Sequence, residues 1–542
     1  MWWLRCGDSE VREPFTASIS SRKYTFQFLE LHCIAHPKKP SVEPKPFRCA
    51  RHPYRNAGAE IGPEFIRDVD RFDSSRMQVC LVGGKFSTVQ LIEVSIDKER
   101  ELSHGAEPIC PVNWVVESGN TVSVMELPVV PLDDIDLSLN EFWTKDRAYR
   151  EGAFKTLRDE SPFQFFPEAI IEDSPFPRGP GYRALTRHQD IWHVSRNPQI
   201  FCSGKGSNIG DMPTELNEFF GSMINMDDPK HFRLRSIVSK GFTPKEITRV
   251  EEQVKVRAVK VIDRLLEQFP GKSCDFVEEV AALLPLQIIC DMMGIPESDE
   301  RQIFNWTNVI LGVGDPEFVG SYEDLLKAGM DIFAYAQALG EDRVKNPKDD
   351  VTSAMMNAVV DGERLTAQEF GSFFILLVVA GNETTRNAIS HGMKLLTDNP
   401  DQRHKWFNNF EEHTRTAVEE IVRYASPVIH FRRTATEDTE INGQPIKQGE
   451  KVVMWYCSGN RDERVFTDPQ AFDVSRPLAP AQVGFGAGGP HFCLGANLAR
   501  REIGVMFDEI RKRVPSLHIT SDPAYLQSAF INGIKRMQCA WD

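Results

Sequence analysis

Long apolar runs are missing from this 542-residue chain. A membrane-spanning helix needs roughly 18 consecutive apolar residues, and the richest stretch, Phe373 to Gly381, is about half that length. The start, Met1-Trp2-Trp3-Leu4-Arg5-Cys6, has no apolar core after a basic opening, so it does not read as a secretory signal. The chain therefore reads as cytoplasmic, with no transmembrane anchor. An excess of positive charge is also missing: a net charge of −15 argues against nucleic acid as a partner, because phosphate binding needs concentrated Lys and Arg. Eleven cysteines are present, yet no Cys-x-x-Cys pair occurs, which leaves a zinc ribbon or thioredoxin-type site unsupported. An odd count in so large a chain reads as reduced thiols plus one functional thiolate. Neither a flavin signature nor Cys₄ iron–sulfur spacing is evident, and no internal repeat is visible.

What remains is globular composition, 41% hydrophobic and 26% charged, in two unlike parts. The first ~125 residues hold five of the cysteines and a Pro/Lys-rich stretch, Pro37 to Pro46, without sustained periodicity. Residues 1–124 read as an extension, disordered or mispredicted; the rival is a genuine accessory domain. From about Leu127, candidate helices (Val250 to Phe269, Glu369 to Thr397, Glu412 to Tyr424) alternate with Pro/Gly breaks. Short strand-like pieces lie between Arg432 and Trp455. The expectation for 125–542 is one mainly α domain with a small β region.

Three segments carry chemistry. In Gly484-Phe485-Gly486-Ala487-Gly488-Gly489-Pro490-His491-Phe492-Cys493-Leu494-Gly495, the glycines permit φ > 0 and close backbone approach to a flat ligand. A helix is expected from Ala496 to Lys512, and a thiolate just before a helix N-terminus is favoured by the free N–H groups there. On its own, Cys493 reads equally well as a buried structural cysteine in a Gly-rich turn. Phe373 to Ser390 reads as a helix with small residues, Ala380-Gly381, at its centre, followed by Glu383-Thr384-Thr385. A central Gly costs about 1 kcal/mol against Ala and so asks for a reason, such as room for a diatomic ligand. A Thr hydroxyl bonding back to the previous turn distorts such a helix. The bland alternative is a helix with a polar stripe. Glu420-Ile421-Val422-Arg423 places opposite charges at i and i+3, which is most often only a surface pair.

Taken together, these segments resemble the cytochrome P-450 superfamily, over Leu127 to Trp541 and in the family's motif order. The resemblance implies a helical haem-binding domain with small β-sheets, haem b as cofactor, and monooxygenase activity. By it, Cys493 ligates iron, and His491, His231, Arg235 and Arg433 contact the haem propionates. Phe485 shields the thiolate, and Gly381 belongs to the oxygen-binding groove. Thr384 stabilises bound dioxygen while Glu383 delivers protons; Val379 and Ala380 face the substrate. Glu420, Arg423 and Arg476 form a structural clamp. Two departures stand out: Phe485 lies eight residues before Cys493 where seven is usual, and Gln482 replaces a common His. The Gly-Gly-Pro-His variant is familiar in actinobacterial lipid- and sterol-oxidising members, and the wording is nearest to methyl-branched lipid ω-hydroxylases and steroid 26-oxidases. A monomer is expected, taking a hydrophobic small molecule and electrons from a ferredoxin and ferredoxin reductase that meet Arg500, Arg501, Lys512 and Lys230. The competing readings are a haem-thiolate sensor without turnover and a peroxide-driven peroxygenase.

Overall fold

The computed structural model describes residues 127–542, except 171–174, 240–243, 313, 319–320, 360–361 and the side chains of 244–249, together with the backbone of four strands nearer the N-terminus. The chain divides into two compact units, Met1–Val124 and Met125–Asp542. In the first, Trp3–Arg5 pairs antiparallel with Ile109–Pro111, and Arg76–Leu81 with Gln90–Ser95. Otherwise the expectation of a disordered or mispredicted extension lies outside the described residues.

In the second unit the helices that position the site are α1 (His188–Arg196), α2 (Lys230–Ser239), α3 (Pro244–Gln268), α4 (Leu283–Met293), α5 (Glu300–Leu311), α6 (Tyr322–Lys345), α7 (Ala367–Asp398), α8 (Phe410–Ala425) and α9 (Ala496–Arg513). The strands are β1 (Phe165–Phe166), β2 (Tyr182–Leu185), β3 (Phe201–Cys202), β4 (Ser273–Asp275), β5 (His430–Ala435), β6 (Lys451–Trp455), β7 (His518–Ile519) and β8 (Gln538–Ala540). Five of them form a sheet in the order β1-β2-β6-β5-β3, and three form another in the order β7-β8-β4. Only the β2–β6 contact is parallel. The unit is therefore mainly helical with small sheets.

α7 is the axis of the helical part. Its start is set by a capping box in which the Thr366 hydroxyl accepts from the Glu369 N–H at 3.1 Å and the Glu369 carboxylate accepts from the Thr366 N–H at 2.9 Å. It runs for 32 residues and is buried on most sides, with Phe370, Phe373, Phe374 and Ile375 fully enclosed. Each such side chain contributes about 1.5–3 kcal/mol by burial, so the helix is held by what surrounds it: α4, α5, α6, α8 and α9 all pack against it. The helix expected over Val250 to Phe269 begins earlier, at Pro244, where proline suits the first turn.

Candidate active site

The cysteine loop is closed on itself. The Cys493 N–H donates to the Phe485 carbonyl at 3.0 Å, spanning eight residues. Gly486, Gly488 and Gly489 adopt φ of 88°, 78° and 78°, as the sequence required. Their close approach is to α1: a Cβ on Gly489 would lie 2.1 Å from the Ser195 carbonyl oxygen and one on Gly488 3.0 Å from the Trp192 ring. The Ser195 hydroxyl also donates to the Gly488 carbonyl at 2.8 Å. Gly488 and Gly489 thus seat the loop against α1. Gly484, Gly486 and Gly489 do satisfy Gly-x-Gly-x-x-Gly spacing, but no strand leads into them, so a dinucleotide fold is not built there.

Cys493 lies three residues before α9, whose buried face carries Ile503, Met506, Phe507 and Ile510. Burial pushes its thiol above the ordinary value; the N–H groups of Gly495 and Ala496, with Arg235 and Arg500, offset only part of this. The helix-terminal N–H groups favour the charged form, as expected, against the cost of desolvation. Cys493 itself presents accessible surface.

Basic groups gather beside it. The rings of His231 and His491 are 4.3 Å apart between centroids. His231, on α2, is buried with Nδ1 3.1 Å from the Asp228 carboxylate and Nε2 without a hydrogen-bond partner. One turn on, Arg235 donates to the Phe492 carbonyl at 2.7 Å. Arg433, on β5, is buried, donates to the Arg432 carbonyl at 2.7 Å, and is held below the usual arginine range by desolvation. Burial first, then Arg433, His231 and Arg235, drives the His491 imidazole down to about 2. Cations and an orphaned imidazole nitrogen collected in low dielectric call for an anion. A dianionic, iron-bearing macrocycle with a thiolate ligand fits this donor set.

On α7 the Thr384 hydroxyl donates back to the Ala380 carbonyl at 2.9 Å, the back-bonding read from the sequence, while the helix runs on unbroken. Ala380 is exposed although the helix around it is buried, whereas Val379 is packed in the main core; the two expected pocket residues are thereby separated. The position of a Cβ on Gly381 would meet Ile289 of α4 at 3.1 Å, so close helix packing is the visible reason for this glycine. Glu383 is buried: Oε1 accepts from Arg386 and from Asn387 Nδ2 (3.1 Å), and Oε2 is unpaired. Arg386 is anchored in turn by Asn308 of α5 at 2.9 Å.

The structure brings Glu420, Arg423 and Arg476 together away from this centre. Arg423 donates to both oxygens of Glu420 (2.7 and 2.8 Å), and Arg476 Nε to Oε2 at 2.9 Å. Three backbone carbonyls (Asn460, Pro469, Ala471) take the remaining Arg423 donors. Three cations expected to meet a partner also pair within the chain: Arg500 pairs with Glu419 and lies 4.5 Å over the Phe485 ring, Lys230 pairs with Glu218, and Lys512 with Asp508.

Sequence reading missed Glu502 of α9. It is 2% exposed, its partner is Thr385, and burial raises its carboxyl to about 8. In Arg500-Arg501-Glu502 it looks like one more charge on a solvated face. The Arg432 guanidinium was missed too: it gathers the carbonyls of Lys205 (2.7 Å), Asn208 and Ile209 (both 3.2 Å), and the Asp211 carboxylate (2.7 Å).

The family model described as Cytochrome P450 matches residues 216–512. Methyl-branched lipid omega-hydroxylase of Mycobacterium tuberculosis (strain H37Rv) is 52% identical over 414 residues, covering 76% of this chain and 96% of the relative. Steroid C26-monooxygenase of Rhodococcus jostii is 39% identical over 473 residues, 84% of this chain and 97% of the relative. The structure of a Mycobacterium marinum cytochrome P450 in complex with pseudoionone superposes with a TM-score of 0.72 at 42% identity, covering 76% of this chain and all of that one. Haem b is the cofactor of that family, and the thiol and basic side chains described above suit it. Shared sequence, shared fold and a matching donor set make this chain a monooxygenase of the cytochrome P450 family.

Proposed function

We propose that this enzyme hydroxylates a C–H bond at or near a terminal methyl of a branched lipid, isoprenoid or sterol side chain, using O₂ and two electrons from a ferredoxin and its reductase. The observation that carries the substrate class is the 52% identity kept over 96% of methyl-branched lipid omega-hydroxylase. In this reading Cys493 ligates the haem iron, and His231, Arg235, Arg433 and His491 hold its propionates. Bound there, haem b supplies iron-centred activation of O₂ and insertion of one oxygen atom. Thr384 keeps its hydroxyl fixed against the Ala380 carbonyl, ready to pass a proton toward the pocket. Glu383 is anchored on one oxygen by Arg386 and Asn387, and its buried second oxygen, unpaired within the chain, is left to carry a proton. Ala380 offers an apolar methyl to the substrate. Residues 1–124 are dispensable for this chemistry.

The test uses purified full-length protein, a surrogate ferredoxin and reductase, NADPH, and a methyl-branched fatty acid or a sterol. A product carrying one added oxygen, with substrate-dependent NADPH consumption, is expected. Binding without NADPH consumption would instead mean a sensor, and equal turnover on hydrogen peroxide alone a peroxygenase.

A further inference from the structure

Among the described residues the cysteines are Cys202, Cys274, Cys290, Cys457, Cys493 and Cys539, all free thiols. Two of them face each other well away in sequence from the cysteine loop. Cys274 of β4 and Cys539 of β8 are directly paired in the antiparallel ladder, between the pairs Asp275–Gln538 and Ser273–Ala540. Their sulfurs lie 3.7 Å apart and share a hydrogen bond, although 265 positions separate them in the chain. Directly opposed residues of an antiparallel pair have Cα atoms about 4.5–5.5 Å apart, within the roughly 4.4–6.8 Å that a disulfide tolerates. Closing the bond means bringing two sulfurs from 3.7 Å to about 2.0 Å. Both thiols are buried among core side chains, Cys539 completely. The strands of this sheet are only two or three residues long, however, so local opening exposes them at low cost.

We propose that Cys274 and Cys539 form a reversible disulfide, closed by a low-molecular-weight disulfide and reopened by a small thiol. The shared hydrogen bond pulls the Cys539 thiol below its ordinary value and pushes Cys274 up, so Cys539 attacks first. Its thiolate cleaves the small disulfide, forming a mixed disulfide and releasing one small thiol. Cys274 then attacks the Cys539 sulfur of the mixed disulfide, forming the Cys274–Cys539 bond and releasing the second small thiol. The pair loses two electrons and two protons, and the small disulfide gains them. β4 leads through the turn Val277–Ala281 into α4, which packs on α7. The bond therefore staples the end of the chain's last strand to the base of the distal helical wall. This rests on thiol geometry alone and stands whether or not the haem reading holds.

Full-length protein is incubated with oxidised glutathione, alkylated under denaturing conditions, digested and mapped by mass spectrometry. A crosslinked peptide containing Cys274 and Cys539 is expected, two hydrogens lighter than the sum of its parts and abolished by dithiothreitol. A rise in Tm of about 5 °C accompanies it, reversed on reduction, as closure of so long a loop implies. Cys274→Ala and Cys539→Ala each remove both signals. Full alkylation of both cysteines after oxidation, or glutathione adducts without the crosslink, overturns the proposal. So does a Tm rise that persists in either variant. Should a variant not fold, the peptide map of the unsubstituted protein decides alone.

Discussion

Glu502 shows how far burial departs from what a residue's neighbours in sequence suggest. Its carboxyl is raised from 4.5 to about 8 by desolvation. The folded state therefore binds a proton that the unfolded state gives up between those values. The sign follows: stability tied to Glu502 is fully present below pH 4.5 and is lost as pH rises through about 8. Glu502→Gln, which stays neutral, should match the unsubstituted protein near pH 4.5 and exceed it by roughly 2–4 kcal/mol at pH 8. Thermal or urea unfolding across that range checks this; a difference independent of pH would show that the carboxyl does not stay protonated. In the proposed proton path, Thr384→Ala removes the hydroxyl held on the Ala380 carbonyl. Product per NADPH should fall about tenfold or more, with NADPH consumption continuing and hydrogen peroxide accumulating. Unchanged coupling would remove Thr384 from the proton path.

At the scale of elements, α8 is tied to the segment 460–476 by buried charge. Glu420 accepts from Arg423 and Arg476, so Glu420→Ala leaves Arg423 buried, 1% exposed, without a counter-charge. A loss of about 3–5 kcal/mol is expected, read as a lower urea midpoint; a loss under about 1 kcal/mol would make the trio an ordinary surface pair. The cysteine loop depends on its packing on α1. Gly489→Ala meets both a positive φ and the Ser195 carbonyl, and should lower Tm by several degrees while leaving α9 intact. The long helices were legible because their apolar residues recur with a 3.6-residue period over many turns. α2 was not, because Lys230-His231-Phe232-Arg233-Leu234-Arg235 is short and polar, and its helix is held by tertiary contacts.

Across the whole chain, the boundary between Val124 and Met125 separates two compact units, and methyl-branched lipid omega-hydroxylase matches over 414 residues, about the length of the second. A fragment of residues 125–542 is expected to bind haem and give the thiolate-type ferrous carbon monoxide difference spectrum. A histidine-type band, or no haem, in the fragment but not in the full chain would show that the first unit is needed. Among the described residues no helix is long and apolar enough to cross a membrane, in keeping with the scarcity of long apolar runs.

The sequence by itself determined the mainly helical fold and the order of the motifs by which the chain resembles the cytochrome P450 family. Those follow from local properties: periodicity, glycine spacing, and residue types that neighbour one another along the chain. Tertiary structure alone decided which groups are desolvated and which are paired. It buried Glu502 and so raised its carboxyl, turned Arg500, Lys230 and Lys512 toward carboxylates of the same chain, and packed Gly381 on Ile289. It also set Cys274 beside Cys539. Each depends on residues tens to hundreds of positions away, and free energies of burial and pairing exist only once those residues meet.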